Sequence, residues 1–213
     1  MSRSGSKAQV PLWSTTPMTS STNLQSYLAA SASQVGALMS APNLSEIISA
    51  SVEDVVAALL AGKPVLTCGN GGSASDALHV SGELVGRFFR DRHALNVICL
   101  NSNVTVMTAW ANDIDFTSVF SRQVEAHGRG GGVLWGFSTS GNSKNVVNAF
   151  TKATTLGMRT IAMTGSNPGL LGELANHVIS VPGDDAPSAQ NLHVLLYHYM
   201  CAEIERIATV RVP

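Results

Sequence analysis

Apolar positions follow two different rhythms along the chain, and the change between them divides the sequence. From about residue 23 to residue 62, apolar side chains recur every three or four positions, which is the period of an amphipathic helix. Pro42 and Asn43 interrupt this pattern. The interrupted periodicity therefore predicts an N-terminal helical hairpin whose second helix begins near Ser45 and ends at Gly62. We expect this pair to serve in packing or in oligomerisation.

After residue 62, the apolar residues gather in short continuous runs that alternate with helical stretches. A strand buried on both faces of a parallel sheet needs such a run, because neither of its faces meets water. The runs lie at 64–68, 96–100, 132–138, 159–165 and 177–182. They predict an α/β fold, namely a three-layer, doubly wound sheet of five parallel strands. The last segment, from about Ala186 to Thr209, predicts one long C-terminal helix.

The first residues of the chain follow neither rhythm. Residues 1–21 are rich in Ser and Thr and contain two prolines, so we expect a flexible tail or leader, with Met18 as an internal start or as the mark of an added leader. The remaining residues, 22–213, are predicted to form a single domain, since a chain of this length can bury one sizeable core.

Composition limits the partners and the compartment. With 45% hydrophobic and 13% charged residues, the chain is typical of a soluble globular protein with buried strands or a large subunit interface. A formal net charge of −1 gives no electrostatic reason to bind nucleic acid or an anionic membrane. No apolar run approaches the roughly 18 residues of a membrane span, and no signal-peptide pattern is present, so we expect a cytoplasmic protein. The odd number of cysteines predicts reduced, buried thiols at Cys68, Cys99 and Cys201.

Two polar loops that follow predicted strands are the first candidates for chemistry. They cover residues 69–73, with the sequence GNGGS, and residues 138–143, with the sequence STSGNS. Ligands of open α/β sheets bind beyond the carboxyl ends of the strands, where helix N-termini offer free N–H groups to anions. Four hydroxyls in six residues make the second loop the better phosphate cradle. Neither loop has the spacing of GxxxxGK[ST] or GxGxxG, which disfavours a nucleoside triphosphate or a dinucleotide.

Two helices contain candidate metal ligands or acid–base residues. His79 and Glu83 are four positions apart and so share a helix face, where they can bind one metal ion, act as an acid and base, or form an ordinary surface pair. The C-terminal helix contains Gln190, His193 and His198. Both of these histidines have apolar neighbours, so the pattern alone also fits two core residues.

Taken together, long segments of the chain resemble the SIS (sugar isomerase) family, and within it the phosphoheptose isomerases. The resemblance covers roughly residues 24–208 and rests on CGNGGSASDALHVSGELVGRF, AWANDIDFTSVFSRQV, FSTSGNSKNVVNAF, AMTG and AQNLHVLLYH. It implies an aldose–ketose isomerase that converts D-sedoheptulose 7-phosphate to D-glycero-D-manno-heptose 7-phosphate by proton transfer through an enediol. It also implies a homotetramer with active sites at subunit contacts and one zinc ion per subunit.

The resemblance further implies roles for individual residues. The zinc ligands correspond to His79, Glu83, Gln190 and His198, and the acid–base pair corresponds to Glu83 and His198, with Glu83 as the candidate base. Contacts to the phosphorylated seven-carbon sugar correspond to Asn70, Gly71, Gly72, Ser73, Glu83, Asn112, Asp113, Ser138, Thr139, Ser140, Ser143 and Gln190. Gln190 and His198 are about 12 Å apart along a helix. Either the metal lies between them, or symmetry-related chains supply different ligands.

Departures from the family pattern leave other interpretations open. The family usually has Ile-Gln-Glu where this chain has Ala189, Gln190 and Asn191, and Leu78 replaces a commonly polar residue. An isomerase of another phosphosugar is therefore one alternative. Another is a non-catalytic tetrameric relative that binds the replication initiator, although that branch lacks the counterparts of Glu83 and His198. A sugar-sensing module joined to a DNA-binding domain is disfavoured, since the chain has no basic cluster.

Overall fold

A parallel sheet forms the centre of the fold. The computed structural model describes residues 23–183 and 185–211, and the tail expected at 1–21 lies outside them. The strands are β1 (Val65–Gly69), β2 (Val97–Cys99), β3 (Val133–Phe137), β4 (Arg159–Thr164) and β5 (His177–Ser180). Their order is β2-β1-β3-β4-β5, and every pairing is parallel. This confirms the predicted doubly wound sheet of five parallel strands.

Helices connect and flank these strands. Within the described residues they are α1 (Leu24–Met39), α2 (Leu44–Leu60), α3 (Gly72–Val85), α4 (Val104–Asp113), α5 (Val119–His127), α6 (Lys144–Thr155), α7 (Leu171–Leu174) and α8 (Ala186–Arg211), with a 3₁₀ turn at Phe116–Ser118. The predicted bounds of α2 need a small correction. Asn43, in the left-handed conformation with φ 58°, occupies the cap position, so the helix begins before Ser45. It ends before Gly62, whose φ of 69° is typical of a residue just past a helix C-terminus.

The two faces of the sheet support two apolar cores, which gives the three layers. Along β3, Val133, Trp135 and Phe137 face a core built with α2, α3 and α8, whereas Leu134 faces a core built with α5, α6 and α7. Alternate residues of a strand point to opposite faces, so a continuous apolar run fills both cores. The helical connections therefore bury the sheet on both sides.

The cysteines lie in these cores. All three are buried and free of disulfides, as predicted from their number and spacing. Burial raises the pKa of the Cys68 and Cys201 thiols, which keeps them protonated and unreactive at neutral pH. Among the described residues, no helix combines the length and the apolar character needed to cross a membrane.

Candidate functional site

The two polar loops lie at the carboxyl ends of two neighbouring strands, β1 and β3. Strands β1 and β3 are neighbours, but the chain passes from β1 outward to β2 before it returns to β3. At such a switch point, the connections after the two central strands run to opposite faces and leave a crevice between them. Loops 69–73 and 138–143 follow these two strands, so the fold brings both loops to this crevice.

A pair of asparagine side chains joins loop 69–73 to the start of α6, the helix that follows loop 138–143. Asn70 and Asn145 exchange hydrogen bonds in both directions, each with 2.8 Å between Nδ2 and Oδ1. Asn145 lies in the first turn of α6 and is buried. Sequence reasoning did not single it out, although a polar residue in the otherwise apolar buried stripe of an amphipathic helix was a usable signal.

Replacing Asn145 by alanine is expected to destabilise the protein, because the half-buried Asn70 amide loses both partners. The expected loss in the free energy of unfolding is about 1–3 kcal/mol, measured by urea denaturation. Asn148→Ala is the matched control, since Asn148 is exposed on the same helix and donates one bond, to the Thr117 carbonyl. Equal losses in the two variants would show that the asparagine pair does not hold the loops together.

The backbone of loop 69–73 lies close to other parts of the chain. Asn101 donates to the Gly69 carbonyl over 2.9 Å and accepts from the Gly69 N–H over 3.2 Å, which fixes the end of β1. Gly71 has φ 55° and caps α3, so a side chain there would strain the turn. A Cβ atom at Gly72 would overlap the amide group of Gln190. The loop therefore needs its glycines for conformation and for close approach.

Loop 138–143 forms a hydroxyl-lined turn before α6. The Ser138 hydroxyl donates to the Ser143 hydroxyl over 3.0 Å, and Ser143 caps the helix without a side-chain bond to its N–H groups. Gly141 has φ 64°, and a Cβ atom there would overlap the Pro168 carbonyl. Beside the loop opens a pocket of about 430 Å³, bounded by Thr139, Ser140, Asn142, Ser166, Asn167, Gly183, Asp185, Ala186 and Ala189. The N–H groups at the start of α6 and the hydroxyls of the loop suit an anion such as phosphate, whereas the wall of the pocket formed by Asp185 carries a carboxylate.

Three of the predicted metal ligands converge. Ligand atoms of His79, Glu83 and His198 all lie within 4.8 Å of one another. His79 Nε2 is 3.0 Å from Glu83 Oε1 and 3.4 Å from His198 Nε2. Ligand atoms about 2.1 Å from a tetrahedral zinc ion lie about 3.4 Å apart, so these separations fit one ion. Two histidines and one carboxylate are also a known ligand set of catalytic zinc sites.

The fourth predicted ligand lies elsewhere in this conformation. The Gln190 amide packs against Gly72 at the start of α3, about 10 Å along the helix axis from His79. The Gln190 amide thus contacts loop 69–73, and within residues 23–183 and 185–211 no hydrogen bond links it to His79, Glu83 or His198. The amide lies beside loop 69–73, which is predicted to contact the substrate.

Asn112 and Asp113 lie on α4, outside the two loops. Both are exposed on the last turn of α4, where Asn112 donates to the Asp113 carboxylate over 2.9 Å. In the parts of the chain that the structure describes, no hydrogen bond links either side chain to residues 69–73 or 138–143.

A second layer of polar groups supports the histidine cluster, and sequence reasoning missed it. The Tyr197 hydroxyl is 2.9 Å from His79 Nδ1, and the Asp76 carboxyl lies beside that hydroxyl. Burial raises the pKa of Asp76 to about 6, although His79 and Tyr197 partly oppose this shift. Burial likewise raises the pKa of Tyr197. On the other side, the ring of Phe88 stacks on His198 with 5.6 Å between centroids.

The two histidines of α8 have different environments. His193 is fully buried, and its Nε2 donates to the Thr164 carbonyl over 3.0 Å. Burial lowers the pKa of His193 to about 4, so the ring is neutral at physiological pH. His193 is thus a core residue, one of the alternatives that its apolar neighbours left open, whereas His198 faces the cluster.

The structure locates the three positions that are expected to depart from the family pattern. Ala189 is buried and lines the pocket beside loop 138–143. Asn191 donates to the Tyr27 hydroxyl over 3.0 Å and so connects α8 to α1. Leu78 is half exposed on α3. Of these three positions, Ala189 is the one that borders the pocket beside loop 138–143.

Comparison with known proteins places the chain in a family. Residues 27–165 match the family profile described as "SIS domain". A phosphoheptose isomerase of Helicobacter pylori (strain P12) is 44% identical over 164 residues, which is 77% of this chain and 85% of that protein. Solved structures of phosphoheptose isomerases from Francisella tularensis and Neisseria gonorrhoeae match with TM-scores of 0.80 and 0.79, at 32% and 34% identity. Each match covers 85% of this chain and 96% of the other.

Proposed function

We infer that this chain, which belongs to the SIS domain family, is a phosphoheptose isomerase that converts D-sedoheptulose 7-phosphate to D-glycero-D-manno-heptose 7-phosphate. The observation that carries this function is the convergence of His79, Glu83 and His198 in a chain that matches the phosphoheptose isomerases along most of its length. The same cluster argues against the non-catalytic relative that binds the replication initiator, because that branch lacks two of the three residues.

We propose that the cluster holds one zinc ion per subunit. The fit of the donor separations and the two-histidine, one-carboxylate set supports this choice. When bound, zinc would polarise the substrate carbonyl and stabilise negative charge on its oxygen. Gln190 is the proposed fourth ligand; in the conformation described its amide lies against Gly72, in the loop proposed to contact the substrate.

Glu83 is the proposed base. Its Oε1 faces His79, whereas its Oε2 has no hydrogen-bond partner among the described residues and is free to take a proton. One carboxylate can therefore bind the ion through one oxygen and exchange protons through the other. Glu83 removes a proton from C1 of the ketose and returns it to C2, so that the enediol becomes the aldose.

His198 is the proposed acid that moves protons between the two oxygens. It donates a proton to O2 as the enediol forms and takes the proton of O1 as the aldehyde forms, so the protein gains no net proton over the cycle. The Nδ1 atom of His198 has no hydrogen bond within residues 23–183 and 185–211 and remains available for this exchange. Its ring plane is held by stacking on Phe88.

The phosphate group is assigned to loop 138–143 and the sugar hydroxyls to loop 69–73. Ser138, Thr139, Ser140 and Ser143 supply hydroxyl donors beside the N-terminus of α6. Asn70, Gly71, Gly72 and Ser73 lie across the crevice, near Gln190. The reciprocal Asn70–Asn145 bonds keep the two subsites at a fixed separation.

We further propose a homotetramer whose subunits share active sites. Exposed apolar residues on α1, including Leu24, Tyr27 and Leu28, support burial against another copy. Asn112 and Asp113 lie near exposed Ile114 and Phe116, so in this proposal they serve the site of a neighbouring subunit. The three free thiols support the reducing cytoplasm as its compartment.

Incubation of the purified protein with D-sedoheptulose 7-phosphate tests the proposal directly. We expect formation of the seven-carbon aldose phosphate, loss of turnover after treatment with a chelator, and recovery on addition of zinc. Other ketose phosphates serve as controls for the substrate. Turnover of one of these in place of the seven-carbon sugar would reassign the substrate, and a folded, zinc-loaded protein with no turnover would overturn the isomerase function.

A further inference from the structure

The Tyr197 hydroxyl sits between a predicted metal ligand and a buried carboxyl group. On one side it is 2.9 Å from His79 Nδ1. On the other side is Asp76, three residues before His79 on the same face of α3. Tyr197 is 1% exposed and Asp76 is 6% exposed, so water does not readily replace either contact.

The hydrogen bonds of His79 depend on which ring nitrogen bears the proton. With the proton on Nε2, the ring donates to Glu83 Oε1 over 3.0 Å, and the Tyr197 hydroxyl must donate to Nδ1. A cation on Nε2 requires that nitrogen to be unprotonated, so the proton then lies on Nδ1. In that state Nδ1–H donates to the Tyr197 oxygen, and the hydroxyl proton is free to turn towards another acceptor.

Asp76 is the acceptor that this rotation would reach. Its Oδ2 atom is buried and has no hydrogen-bond partner. Buried acceptors without partners are rare and call for an explanation. A Tyr197 hydroxyl released from Nδ1 supplies the missing donor, and it does so only in the tautomer that leaves Nε2 free for a metal.

We propose that Asp76 and Tyr197 form a relay that positions His79 and selects its metal-binding tautomer. The inference rests on the metal site assigned above. Metal-binding histidines commonly donate their second nitrogen to a carboxylate, and here a tyrosine hydroxyl lies between the two. Tyr197 and Asp76 are positioning residues, since they act through His79.

Zinc affinity tests the relay separately from catalysis. Metal-free wild type, Tyr197→Phe, Asp76→Asn and the double variant are titrated with zinc against a chromophoric chelator, with Tyr199→Phe as the matched control. Tyr199 is exposed on the same helix, two residues from Tyr197. We expect Tyr197→Phe to weaken zinc binding about 10- to 100-fold. Adding Asp76→Asn to it should change the affinity by less than about twofold, because the two groups act as one unit.

Each possible result decides for or against the relay. A loss under about tenfold in Tyr197→Phe, or additive losses in the double variant, overturns it. Thermal unfolding of the metal-free proteins identifies a merely structural role, which would lower the melting temperature of Tyr197→Phe and leave its zinc affinity unchanged. If the wild type binds no zinc, the assigned metal site fails along with the relay; if it binds zinc and Tyr197→Phe binds equally well, only the relay fails.

Discussion

Replacing Glu83 by glutamine is expected to lower the turnover number for sedoheptulose 7-phosphate by about 10²- to 10⁴-fold. Glutamine keeps the shape of the side chain and an oxygen that can face the metal, but it cannot accept a proton from carbon. The Michaelis constant should change much less, since loops 69–73 and 138–143 remain intact. Steady-state kinetics on protein of measured zinc content separates loss of the base from loss of the ion.

A carboxylate outside the cluster provides the control for this variant. Glu203 lies on α8, where it pairs with Arg206 over 2.7 Å. Glu203→Gln should retain turnover within about twofold of the wild type. If Glu83→Gln, folded and loaded with zinc, also turns over near the wild-type rate, Glu83 is only a ligand and the base must be sought elsewhere.

The layers of the fold could be predicted from sequence because its strands are buried on both faces. In a run such as VLWGF, apolar and polar residues do not alternate, which is typical of a central strand of a parallel sheet. The glycine- and serine-rich loops then had to lie at one edge of the sheet, since parallel strands end on the same side. The bounds of α2 were harder to predict, because one left-handed residue, Asn43, precedes its start and another, Gly62, follows its end.

The candidate site was harder to predict, because its supporting groups are defined by contacts between distant segments. His79 and Glu83 share a helix face and could be paired from their spacing, whereas His198 joins them only through the packing of α8 on α3. Asn145 and Tyr197 looked like ordinary polar residues within apolar helices. Their partners lie 75 and 118 positions away, and no local pattern encodes such a pairing.

One buried ion pair fixes the segment that covers the histidine cluster. Glu205 on α8 accepts hydrogen bonds from three successive backbone N–H groups of residues 88–90, at 3.0, 2.7 and 3.0 Å. Its Oε1 is also 3.2 Å from Arg92 Nε, and both side chains are almost fully buried. Burial alone would raise the pKa of Glu205, but the three N–H donors and Arg92 outweigh it, so its pKa is lowered. The same segment contains Phe88, which stacks on His198.

Replacing Glu205 by alanine should therefore lower the free energy of unfolding by about 3–5 kcal/mol, because Arg92 is left buried without its partner. Urea denaturation measures the loss, and Glu203→Ala on the same helix is the control.

A carboxyl whose pKa is lowered on folding contributes stability above its unfolded pKa, near 4.5, and loses that contribution as the pH falls through the lower folded value. The difference between wild type and variant should accordingly shrink on acidification below about pH 4.5. Turnover should fall as well, since His198 loses the support of Phe88. A loss of less than about 1 kcal/mol at neutral pH would mean that the apolar contacts of residues 86–93 hold the segment without this pair.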